Sequence, residues 1–159
     1  MKYLLAGLVS SIALSSAAVA QAADPALMGP INQFVNSFNK GDQKGAAKAF
    51  TPAGAAIIDE VSPYFWTGPK ALQLWSAALA AESKKGGLTD QSVTIAAPTS
   101  EMVSGVHGYV VVPATYHYKE HGKAMHESAQ MTYALLKGAG GWKISAWTWS
   151  ATTPQPGDK

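Results

Sequence analysis

Two carboxylates, Asp59 and Glu127, are the side chains of this sequence best suited by type to move a proton. A carboxylate set among apolar groups loses hydration, and its pKa rises toward the range useful for proton transfer. Asp59 closes the run Ala55-Ala56-Ile57-Ile58 and is followed at once by Glu60. In a strand only one of two neighbours points inward. Asp59 therefore reads either as a pocket acid or as a group bonding nearby backbone in a turn or cap. Glu127 lies either on a desolvated sheet face or at a solvated rim. Tyr64, Tyr116 and Tyr133 carry phenols that could stabilise an oxyanion developing beside such an acid.

The aromatic set Tyr64, Phe65, Trp66, Trp75, Tyr116, Tyr133 and Trp142, with Met131, either lines a pocket for a flat apolar ligand or simply fills a core. All four histidines fall between positions 107 and 126. Two of them facing each other across strands could ligate a metal, but no acid or cysteine completes a tetrahedral set, so a solvated pair and no metal site is the reading. No glycine-rich phosphate loop, metalloprotease helix motif or Gly-x-Ser-x-Gly occurs, and without cysteine thiol catalysis is excluded. No cofactor is expected.

These residues need elements to position them. Segments 108–119, 124–136 and 142–150 read as three strands joined by turns at His121-Gly122 and Ala139-Gly140. If Lys119 faces Ala124, then Val110, Val112, Ala114 and Tyr116 oppose Tyr133, Met131, Ala129 and Glu127. If Lys137 faces Trp142, then Leu135, Tyr133, Met131 and Ala129 oppose Ile144, Ala146, Thr148 and Ser150. Both registers select one apolar face, as a half-buried sheet requires. On the other face His117 meets His126, and Trp147 and Trp149 stand beside polar neighbours. Paired exposed tryptophans suggest a partner surface, here a homodimer contact.

Upstream the sequence reads mainly as helix. Ile31, Phe34, Val35 and Phe38 form one stripe after Gly29-Pro30. Gly41 stops that helix and Asp42 caps a second. Thr67-Gly68-Pro69 reads as the start of a third, with Leu72, Trp75 and Leu79 on one face and Gly86-Gly87 at its end. Residues 55–61 and 93–96 read as short strands.

Residues 1–22 read as a cleaved export signal. Lys2 precedes an apolar core, and cuts are expected after Ala20 or Ala22. The core is too short to span a bilayer comfortably, so a periplasmic or secreted protein, free of the membrane after cleavage, is expected. What remains is enough for one domain, residues 30–151, with a disordered tail at 152–159. All twelve basic residues are lysines and the net charge is only +2, which argues against a nucleic-acid partner.

The order of these elements, with Asn39-Lys40-Gly41-Asp42, Trp66-Thr67-Gly68-Pro69 and Gly141-Trp142-Lys143-Ile144, resembles the nuclear transport factor 2-like superfamily, which includes SnoaL-like cyclases and ketosteroid isomerases. The resemblance implies an α+β roll of cystatin-like type: N-terminal helices on a strongly curved antiparallel sheet that forms a conical cavity. It places Asp59 and Tyr64-Phe65-Trp66 near that cavity. The expected function is binding of a small, largely apolar ligand there. The alternatives are a cofactor-independent isomerase, cyclase or dehydratase using a cavity carboxylate, and a non-catalytic protein-interaction scaffold. Where many relatives carry histidines in the last strand, this chain has Ala146 and Thr148.

Overall fold

The computed structural model describes residues 23–157, so the expected signal segment lies outside the described residues. Helix α1 (Pro25–Asn39) is capped by Asp24, whose carboxylate accepts the N–H of Ala26 at 2.8 Å. It starts before the expected boundary at residue 30 and takes Pro30 inside it. Leu27, Ile31, Phe34 and Val35 form its buried stripe. Gly41 ends it at φ 66°, a conformation that favours glycine. Helix α2 (Gln43–Ala47) follows, with the Asp42 carboxylate accepting the N–H of Gly45 at 2.9 Å.

Strands β1 (Ala55–Ile58) and β2 (Phe65–Gly68) form an antiparallel pair ahead of helix α3 (Ala71–Gly86). The expected helix start at Thr67 is thus displaced: Thr67 pairs with Ala56. Aromatic and β-branched residues favour a pleated surface, and Phe65-Trp66-Thr67 had a partner strand at hand. Strands β3 (Leu88–Ile95) and β4 (Ser100–Ser104) lead into the meander β5 (His107–Glu120), β6 (Lys123–Gly138) and β7 (Gly141–Ala151). A short β8 (Gln155–Pro156) pairs with Met125 and His126 of β6. Residues 152–157, expected as part of a disordered tail, run back along that strand instead.

The fold is α+β, but the sheet differs from the strongly curved, antiparallel cone expected. Its order is β2-β1-β7-β6-β5-β3, with β4 also on β5, and β1 runs parallel to β7. The sheet is therefore mixed and open, with β2 and β3 as separate edges. The expectation followed consecutive hairpins, in which a tight turn imposes antiparallel pairing. A parallel pair needs a long crossover, and the chain between β1 and β7 supplies one.

The β5–β6 register is the one derived from the sequence, including Tyr116 opposite Glu127 and His117 opposite His126. The β6–β7 register starts as derived, with Lys137 opposite Trp142 and Leu135 opposite Ile144. It then shifts by one residue at Ser145, so that Tyr133 faces Trp147 and Met131 faces Trp149. One extra residue reverses every later side chain. Trp147 and Trp149 consequently point toward the helices, and their expected place on an outer dimer face is corrected. Trp147 is 2% exposed and packs against Phe34 and Trp75, with ring centroids 5.5 and 5.0 Å away. Among the described residues no helix is long and apolar enough to cross a membrane.

Candidate functional site

A half-open cavity of about 480 Å³ lies between α1, α3 and the inner face of the sheet. Helix α1 contributes Phe34 and Phe38, α3 contributes Trp75 and Leu79, and the sheet contributes Tyr116, Glu127, Met131, Trp147 and Trp149. The segment after β1 closes one side with Asp59, Glu60, Val61 and Tyr64. This is an open pocket with several carboxylates. It corrects the expectation of a conical cavity built for a largely apolar ligand.

Asp59 is held on both oxygens. Oδ1 accepts the N–H of Val61 and Oδ2 accepts the indole N–H of Trp75, each at 3.0 Å. The first bond shapes a tight turn, closed further by Tyr64 N–H on the Val61 carbonyl at 2.7 Å. Burial raises the Asp59 pKa above the ordinary carboxylate value, against the two donated hydrogen bonds, and the Glu60 charge adds to the rise. Asp59 thus serves as both turn former and pocket acid.

Glu127 accepts a hydrogen bond from the Tyr118 hydroxyl at 3.3 Å. Its pKa is raised, first by burial and then by the charges of Glu60 and Asp59. Burial and the Glu127 carboxylate push the Tyr118 phenol up to about 12, so it stays protonated and donates. Tyr116, pushed up mainly by burial, donates to Gln91 Oε1 at 2.5 Å, and Ser83 donates to the same oxygen at 3.1 Å. Glu60 accepts the N–H of Ala151 at 3.1 Å.

Of the residues singled out from the sequence, Asp59, Glu127, Tyr64, Trp75, Tyr116 and Met131 line this pocket. Trp66, Tyr133 and Trp142 do not. Trp66 is buried in β2, Tyr133 is wholly buried with its hydroxyl on Met131 Sδ, and Trp142 packs near Leu27 at the other end of the sheet. Glu60, Trp147 and Trp149 join the pocket unforeseen. Strand alternation turns only one of Asp59 and Glu60 inward, but β1 ends at Ile58 and alternation does not extend into a turn. Tyr118 was legible, because it shares a face with Tyr116 two residues away. Gln91 was not, since a register shift between Thr89 and Ser92 hides which way it points. His117 and His126 face each other away from the pocket, and among the described residues no group of three metal-binding side chains occurs.

Neither a protein-family model nor any curated protein matches the sequence. Solved structures do match the fold. The chain superimposes on hexachlorocyclohexane dehydrochlorinase LinA-type3 from Novosphingobium barchaimii LL02 with a TM-score of 0.69 at 14% identity, over 82% of this chain and 87% of that one. A ketosteroid isomerase-like protein from Erwinia carotovora atroseptica SCRI1043 matches with a TM-score of 0.61 at 15% identity, over 80% and 95% of the two chains. A nuclear transport factor 2-like superfamily protein from Salmonella enterica serovar Typhimurium LT2 matches at 0.62 and 14% identity, over 83% and 89%.

Proposed function

We propose that this chain, whose fold is that of the nuclear transport factor 2-like superfamily, binds a small organic molecule with an apolar body and a polar end. One observation carries the reading: a preformed pocket of ligand size has apolar aromatic walls that end at a carboxylate fixed on both oxygens, Asp59. Fixing that acceptor in advance lowers the ordering cost of binding. Leu79, half-buried on α3 and facing the pocket, offers the test. A neutral solvatochromic dye such as Nile red should bind with a blue-shifted emission. Leu79→Trp, which fills the pocket from its helical wall, should weaken that binding at least tenfold with an unchanged circular dichroism spectrum. Equal binding by both proteins would refute the pocket.

A dehydrochlorinase and an isomerase-like protein share the fold, so the test must also detect turnover. Ligand recovered unchanged after release is the expected result, and conversion would replace binding with catalysis at the pocket carboxylates. We further propose an extracytoplasmic location, supported by Lys2, the apolar residues 4–14 and Ala18-Val19-Ala20. Amino-terminal sequencing of the periplasmic protein should begin at Gln21 or Ala23. A chain beginning at Met1 in that fraction contradicts it.

A further inference from the structure

We infer that the pocket selects a small organic cation, a quaternary or protonated amine whose apolar body carries an oxygen acceptor; this rests on the small-molecule reading above. Asp59, Glu60 and Glu127 all line the one cavity. Among the described residues none of them is in an ion pair; the pairs present are Lys85 with Glu82 and Lys119 with Asp90. Lys85 sits at the rim, with its side chain 81% exposed, and its charge is largely screened there. Asp59 and Glu127 are partly desolvated in the pocket and Glu60 is exposed at its mouth. These uncompensated carboxylates repel one another and attract a positive guest, the first two most strongly.

The walls suit such a guest. Tyr116 and Trp149 meet edge to face at 6.3 Å, and the exposed Tyr64 also lines the pocket. Aromatic faces attract an alkylammonium group, most strongly where water is excluded. A separate observation points to the oxygen. The Trp147 indole lines the same pocket, is 2% exposed, and its buried N–H has no hydrogen-bond partner. An indole N–H is only a donor, and an ether, ester or hydroxyl oxygen on the guest would satisfy it once the indole turns that buried edge toward the cavity. A divalent metal fits less well. Both Asp59 oxygens and one Glu60 oxygen already accept protein N–H groups, whereas a diffuse organic cation needs their field rather than their lone pairs.

The test compares acetylcholine with its uncharged isostere 3,3-dimethylbutyl acetate, by calorimetry and tryptophan fluorescence on the full chain. Acetylcholine should bind at least tenfold tighter. Its affinity should fall as salt rises while that of the isostere does not. Glu60→Gln combined with Glu127→Gln should cut the acetylcholine affinity tenfold or more and leave the isostere within about twofold. Should the double variant fold poorly, Glu127→Gln alone should show a smaller loss in the same direction. Equal binding of the two probes overturns the cation inference and leaves the small-molecule pocket standing. Binding of neither overturns the inference too, and the dye result with Leu79→Trp then decides the pocket separately. Calcium bound at these carboxylates with no acetylcholine bound likewise overturns it.

Discussion

Trp147→Ala is expected to lower the unfolding free energy by about 3–5 kcal/mol, the range for removing a large buried aromatic side chain. The indole touches Phe34 of α1 and Trp75 of α3 as well as its own sheet, so its loss opens the seam between helices and strands. Deleting Ser145 is expected to be at least as severe without removing any aromatic group. The deletion takes away the extra residue that turns Trp147 and Trp149 inward, and strand alternation would send both to solvent. Ser145→Ala keeps the bulge and loses one hydrogen bond, from its hydroxyl to the Ala134 carbonyl at 3.1 Å, at a cost of about 1 kcal/mol. Urea denaturation of the three variants checks the ordering. A deletion variant as stable as Ser145→Ala would show that the bulge does not set the inward face.

That bulge marks where sequence reasoning ran out. The β5–β6 hairpin was legible to the residue because His121 and Gly122 both take positive φ, 48° and 82°, as a two-residue turn between twisted strands requires. Alternation then placed Tyr116 and Glu127 on one face without further information. In the β6–β7 hairpin the same logic held as far as Ile144. Nothing in Ile144-Ser145-Ala146 announces an extra residue, because an alanine and a serine are acceptable on either face. Alternation alone therefore places the tryptophans two and four residues later on the wrong side. They were the strongest hint of misregister available, since two exposed indoles are costlier than one bulge. The parallel β1–β7 pair was illegible for another reason: no local turn links the two strands, and the partner of β1 is chosen by packing. Helix ends were well signalled at Gly41, Asp42 and Gly87, and poorly at the start of α1, where Asp24 caps ahead of the Gly29-Pro30 boundary, and at the start of α3, where Lys70 makes no side-chain cap.

The site inherits both kinds of information. Glu127 and Tyr116 come from the readable hairpin, Trp147 and Trp149 from the unreadable bulge, and Asp59 from a turn at the end of β1. The result is an acid cluster braced by structure whose own logic is stability. Asp59 shows the overlap most clearly, because the bonds that fix it in the pocket also hold the turn to α3.

Asp59→Ala is accordingly expected to destabilise the protein by about 1–3 kcal/mol at pH 7, since it orphans the Trp75 indole N–H and the Val61 N–H. Trp75 is 4% exposed, so water cannot readily replace the lost acceptor. Relief of the buried charge opposes this cost, and pH separates the two effects. Burial raises the native pKa of Asp59 above its unfolded value. The native state then holds the proton more tightly, so the group's linked stability is fully present below the unfolded pKa and is lost as pH rises through the native one. Wild type should therefore gain on Asp59→Ala as pH falls from 7 to 4, and the gap in urea midpoints should widen. An aspartate stabilised chiefly by its hydrogen bonds would give the opposite trend. Glu127 titrates in both proteins, and because the Asp59 charge is one cause of its raised pKa in wild type only, its titration slightly adds to the widening. Asp59→Asn keeps one acceptor for two donors and should fall between wild type and alanine. A gap that narrows in acid would show that the two hydrogen bonds outweigh burial, and Asp59 would then be a permanently ionised strut.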